Sequence, residues 1–201
     1  MSAAFLWALV TLGFAAVVVR RRSLGITLMG AQSILLGLHA IGDTHDVPLA
    51  IAILVGRGVV LPLALLAVVR GTRERRRVSS ELLALPRLVI AVGAVAAGAA
   101  LVPSVGLIDP GAERAAIALL VLGIVIAAVR QAVVFQVVGF LVAENGVYLA
   151  GLAVSGGVPG AIELALLFDL VAVLAVAAAF GTKIHEHFGT SDTNLLRGLR
   201  D

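Results

Sequence analysis

The chain has no cysteine. Disulfides, thiolate zinc sites and iron–sulfur ligation are therefore excluded together. Charge is scarce as well. Asp, Glu, Lys and Arg make up 13% of the 201 residues, whereas soluble domains carry about a quarter. With 61% hydrophobic residues and a mean hydropathy of +1.12, too little polar surface remains to coat a globule in water. The sequence also lacks a P-loop, a GxGxxG, an HExxH and a Ser/His/Asp set on a plausible loop. No catalytic centre is expected on this chain, and no cofactor. Four histidines remain, too few and too scattered to predict haem or zinc.

What is present is a succession of apolar runs punctuated by arginine. The net charge of +3 and a pI near 10.5 raise a nucleic-acid reading. The arginines cluster between apolar runs and no aromatic residues interleave with them, so no nucleic acid is expected as a partner; the lipid bilayer is. The first stretch, MSAAFLWALVTLGFAAVVVRRR, carries its positive block after the apolar run. A cleavable signal peptide has the reverse order, so this reads as a retained first span.

A membrane-crossing helix needs about 20 mostly apolar residues. The pattern predicts an all-α, polytopic membrane protein with seven such helices, over 3–19, 24–42, 48–69, 88–105, 114–129, 132–155 and 160–181. No Gly or Pro marks the turn at Arg130–Gln131; length alone requires it. Thirteen of the fifteen lysines and arginines fall on one side of this arrangement. They are Arg20, Arg21, Arg22, Arg70, Arg73, Arg75, Arg76, Arg77, Arg87, Arg130, Lys183, Arg197 and Arg200. The opposite loops hold Asp43, Asp46, Asp109 and Glu113. By the positive-inside rule the N-terminus is expected outside and the C-terminus inside. The expected location is the plasma membrane of a bacterium or archaeon.

DVPLAIAILVGRGVVLPLALLAVVR and GVPGAIELALLFDLVAVLAVAAAF both begin with Val-Pro, 111 residues apart. That offset suggests a parallel duplication of a three-helix unit. The expected organisation is a three-helix unit over 1–70, a basic cytoplasmic loop and linking helix over 71–112, a second three-helix unit over 113–181, and a cytoplasmic tail over 182–201.

A few polar residues fall at membrane depth: Gln32, His39, Arg57, Gln136, Glu144, Asn145, Glu163 and Asp169. An ionised side chain at mid-bilayer costs at least about 2.5–3.5 kcal/mol, so such residues face partner helices or water. At 1.5 Å rise per residue, Glu144 lies roughly 18 Å below the turn near Gly156, Asp169 roughly 15 Å below Pro159, and Glu163 only about 6 Å down. Glu144 and Asp169 are thus expected level with each other, as a proton relay or as neutral packing groups. Arg57 cannot deprotonate and acts as a counter-ion to Glu144, to Asp169 or to an acid on another subunit. Gln32 and His39, seven apart, share a helix face. In the tail, His185 and His187 sit two apart and point apart on a helix, a weak metal signal.

GFLVAENGVYLAGLAVSGGVP, IELALLFDL and IHEHFGTSDT resemble the hydrogenase-4 membrane component E family. That family is related to the K subunit (chain 4L) of respiratory complex I and to the C subunit of multisubunit sodium/proton antiporters. RRRSLGITLMGAQ looks like the start of the K subunit's second helix, whose pattern carries Glu where this chain has Gln32. The resemblance implies a non-catalytic membrane subunit beside antiporter-like and quinone- or hydrogenase-linked subunits. Glu144 matches the K subunit's second-helix glutamate, and the third-helix glutamate has two candidates, Glu163 by residue type and Asp169 by depth. The expected proton relay is Glu144 with Asp169, assisted by Glu163 near the outer side, with Arg57, His39, Gln32 and Asn145 as counter-charge or support. The alternative is a subunit of a cation/proton antiporter with no redox partner.

Overall fold

The computed structural model describes residues 1–43, 47–71, 83–104, 106–107 and 109–154. Among these the chain is helical and contains no strand. The elements are α1 (Ala3–Val18), α2 (Arg22–Asp43), α3 (Val47–Val55), α4 (Leu61–Gly71), α5 (Ala84–Leu101), α6 (Pro110–Val129) and α7 (Val133–Leu152). A π-helical turn, Gly56–Val60, joins α3 to α4 as one rod. The predicted span 160–181, the second Val-Pro and the tail lie outside the described residues, as do Glu163 and Asp169.

Five helices among the described residues are long and apolar enough to cross a membrane, whereas α1 has 16 residues. Their surfaces agree with that role. Trp7, Leu24, Leu38, Leu63, Leu85, Val89, Ile124, Phe140 and Val147 all face outward. A water-soluble monomer rarely leaves so much contiguous apolar surface open. These are the features of a multi-span helical membrane protein.

Several boundaries differ from the sequence pattern by one to four residues: α5 ends at Leu101 and α7 at Leu152, short of the expected 105 and 155. The predicted spans 88–105 and 114–129 begin four residues earlier, at Ala84 and Pro110. For α6 the cause is a cap that hydropathy does not register. Asp109 accepts from the Gly111 and Ala112 backbone N–H groups at 2.8 and 3.2 Å, and Pro110 occupies the first turn. A carboxylate at this position satisfies donors that the helix leaves open, and proline there loses no bond. Asp109 also accepts from the Met1 ammonium at 3.0 Å. That ammonium first, then the backbone N–H groups, holds the carboxyl below its ordinary value of 3.8. A lowered folded value means that the stabilisation is complete above about 3.8 and is lost as pH falls through the lower folded value. Asp109→Ala is expected to cost about 1 kcal/mol in thermal unfolding, whereas Asp109→Asn retains the cap but not this acid dependence.

The turn at Arg130 has a side-chain cause. The chain leaves the helix at Arg130 (φ −101°, ψ 127°) and re-enters after Ala132 (φ −76°, ψ 128°). Arg130 is buried, its Nη2 donates to Val19 O at 2.8 Å, and its guanidinium lies 3.4 Å over the Phe135 ring. Arg87, expected in a loop, lies instead in the first turn of α5 and is fully buried; it donates to Val17 O and Val18 O at 3.2 and 3.5 Å. Two arginines thus cover the open carbonyls at the α1 C-terminus, which a helix end requires. Arg20, Arg21 and Arg22 follow immediately. The opposite end carries Met1, Asp109 and Glu113, with Ser104 Oγ and Leu107 N donating to Glu113 Oε2. Gly106 turns this loop at φ 76°, a region glycine enters without a Cβ penalty. Basic and acidic residues therefore gather at opposite ends of the bundle.

Between the ends, α1, α2, α6 and α7 enclose one core. Leu9, Ile26, Met29, Leu36, Leu119, Leu122, Ile126, Leu141 and Leu149 are almost fully buried. α6 and α7 approach through glycine. A Cβ on Gly139 would lie 2.6 Å from Ala127 N and from Gly123 O. Such backbone contact is the usual basis of helix association in lipid, where no water drives apolar faces together. α5 lies outside this group and buries only Arg87 and Ala91.

Candidate functional site

A polar layer crosses the core close to the middle of four rods. Leu9 supplies a backbone carbonyl from α1, and Gln32 and Ser33 come from α2. Arg57 comes from the π-turn, and Glu144, Asn145 and Tyr148 come from α7. All six side chains are buried, at 6% exposure or less.

Arg57 Nη2 lies 3.1 Å from Glu144 Oε1 and 3.4 Å from Asn145 Oδ1. Its guanidinium sits 5.5 Å from the centroid of the Tyr148 ring, within the reach of a cation–π contact. Asn145 is the junction. Its Oδ1 accepts from Ser33 Oγ at 3.2 Å, and its Nδ2 donates to Gln32 Oε1 at 3.0 Å and lies 3.1 Å from Ser33 Oγ. Gln32 Nε2 donates to Leu9 O at 2.9 Å. Glu144 is thus opposed by a charge that does not deprotonate, and the pair is neutral as a unit. A buried ion pair requires such additional hydrogen bonds to offset its desolvation.

The local backbone explains how an arginine reaches this depth. The wide turn at Gly56–Val60 bonds Leu61 N back to Gly56 O, and π-turns of this kind recur at functional sites. Gly58 lets the turn press on α2: a Cβ there would meet Ile34 Cγ1 at 2.7 Å. A cavity of about 10 Å³ adjoins Arg57, lined also by Ser33, Leu36, Gly37, Ile53, Asn145 and Tyr148. That volume is close to the minimum for one water molecule.

The structure brings together four of the residues singled out from sequence: Gln32, Arg57, Glu144 and Asn145. It separates His39, which is half-buried and stacks on Phe5 of α1 with ring centroids 4.7 Å apart, outside the polar layer. Glu163 and Asp169 fall outside the described residues. Ser33 and Tyr148 were missed. The signal for Tyr148 is present in the sequence: the chain's one tyrosine stands four residues after Glu144, on the same helix face. Ser33 offers only its adjacency to Gln32.

These features define a helical membrane protein with a charge pair sealed in its core. The chain is 28% identical over 164 residues to an uncharacterized protein, Rv0085, of Mycobacterium tuberculosis; the similarity covers 79% of this chain and 74% of that one. No family model matches the chain, and no solved structure matches it.

Proposed function

We propose that this chain is a non-catalytic membrane subunit of a membrane-bound hydrogenase or complex-I-like oxidoreductase, in which Glu144 takes part in proton translocation coupled to electron transfer. The observation that carries this reading is the Arg57–Glu144 pair, buried mid-helix. Ionisable residues at membrane depth are costly and mark ion or proton pathways. Because Arg57 does not give up its proton, exchange in this layer falls to Glu144. The likeness of the sequence around Glu144 to hydrogenase-4 component E points the same way. Seven spans, an external N-terminus and location in a bacterial or archaeal plasma membrane complete the reading. The duplication has support of its own: moved along by 111 residues, the end of α1 and the start of α2 fall at 129 and 133, where α6 ends and α7 begins.

The partners are expected to be antiporter-like membrane subunits and cysteine-rich subunits that carry iron–sulfur or nickel chemistry. Co-purification followed by mass spectrometry checks this. Recovery of antiporter-like subunits without redox subunits instead identifies a cation/proton antiporter. In the assembled complex, reconstituted in vesicles, Glu144→Gln is expected to reduce proton uptake to background while Glu144→Asp retains part of it. Unchanged pumping in Glu144→Gln overturns the proton role.

A further inference from the structure

The polar layer has a direction. Arg57 offers only donors, so the group that Asn145 turns toward it has to be the carbonyl, as the 3.4 Å contact to Oδ1 has it. Nδ2 then faces Gln32, which has to present Oε1, 3.0 Å away. Gln32 is left to turn its Nε2 to Leu9 O at 2.9 Å. Leu9 O is a backbone carbonyl and can only accept. The chain of bonds is therefore fixed at both ends by groups of invariant polarity, a carbonyl on α1 and a guanidinium on the π-turn. Between them each side chain has to accept on one side and donate on the other. An amide does this at any pH.

We infer that Gln32 and Asn145 are positioning residues for the Arg57–Glu144 pair: the α1 backbone orients Gln32, Gln32 orients Asn145, and Asn145 holds Arg57 Nη2 against Glu144. This rests on the pair being the centre of the site and deepens the proposed role, but its geometry is testable without proton movement. It also gives Gln32 a use that the resemblance to a glutamate-bearing pattern obscures. An ionised carboxylate at 32 accepts from Asn145 but places a second acceptor against Leu9 O. A protonated one donates to Leu9 O and closes the chain as the amide does. Among the described residues, the charged and titratable side chains in the same buried layer as Gln32 are Arg57 on the π-turn and Glu144 and Tyr148 on α7; Leu9 on α1 brings only its carbonyl.

The test is a double-mutant cycle between Arg57→Met and Glu144→Gln, read as the non-additivity of melting shifts of the full chain in phosphatidylcholine nanodiscs. It is run in the native, Gln32→Glu and Gln32→Met backgrounds, from mildly acidic to mildly alkaline pH. The native background is expected to give a strong coupling with little change over this range. In Gln32→Glu the coupling should persist at the acidic end and vanish at the alkaline end, a pH dependence that a passive packing role would not create. Gln32→Met buries no new charge and serves where Gln32→Glu does not fold; there the coupling should be lost throughout. Native coupling in Gln32→Met at every pH overturns the inference. Loss of coupling together with unchanged pumping in Glu144→Gln supports the inference and sinks the proton role.

Discussion

Arg57→Met is expected to destabilise the folded protein by about 3–5 kcal/mol, and the paired change Arg57→Met with Glu144→Met to recover most of that loss. The asymmetry follows from what each variant leaves behind. Removing the guanidinium takes its charge away from Glu144 in a core where that side chain is about 5% exposed. Breaking one side of a buried ion pair is among the costliest single changes a protein can suffer. Removing both partners takes away both charges of the pair, and two methionines fill space adaptably. Asn145 then loses one bond of several, which is the smaller penalty. Thermal unfolding in a fixed detergent distinguishes the cases. A loss in the double variant equal to the sum of the Arg57→Met and Glu144→Met losses would mean that the two side chains act independently and that their 3.1 Å approach carries no energy.

The same ion pair marks the limit of what the amino-acid order reveals. Hydropathy located the helices well, because a span is a local property: its length and oiliness are written in consecutive residues. It also required a break near Arg130, although no breaker residue stands there, since 115–155 is too long for one crossing. What broke the helix was long-range. Arg130 is held by Val19 O on another helix and by the face of Phe135, and neither partner is visible in the local pattern. The early starts of α5 and α6 escaped for a related reason, since Arg87 and the Asp109 cap are polar groups that a hydropathy count places in loops. In the site, depth was legible and azimuth was not. Counting residues put Glu144 and Asp169 near one level, but did not say which acid Arg57 meets. That choice depends on how far each helix is rotated, and here the π-turn sets it by shifting the register of Arg57 within its own rod. Ser33 and Tyr148 were overlooked because a hydroxyl in an apolar helix carries no charge penalty to draw attention to it.

Helix rotation is in turn enforced by glycine. Gly123→Ala is expected to destabilise the protein by about 1–3 kcal/mol, despite adding a single methyl and a better helix former. The new Cβ would fall on Ala143 N and Gly139 O, both backbone atoms that cannot swing aside. A Cβ on Gly146 would meet Ala116 O at 2.7 Å and Leu120 N at 2.9 Å. The α6–α7 pair therefore has to part at either position, and larger residues such as Gly139→Val should cost more. Gly93→Ala on α5 is the control: nothing lies within 4 Å of its Cβ, so it should be neutral or stabilising by about 0.5–1 kcal/mol, the helix-interior advantage of alanine. The consequence reaches the site, because Glu144 and Asn145 ride on α7 between Gly139 and Gly146. Moving that helix away from α6 displaces both from Arg57, so Gly123→Ala should weaken the Arg57–Glu144 coupling as well as lower the melting temperature. A melting temperature for Gly123→Ala equal to that of Gly93→Ala would show that the two helices do not touch through their backbones, and that some other contact sets the rotation of α7.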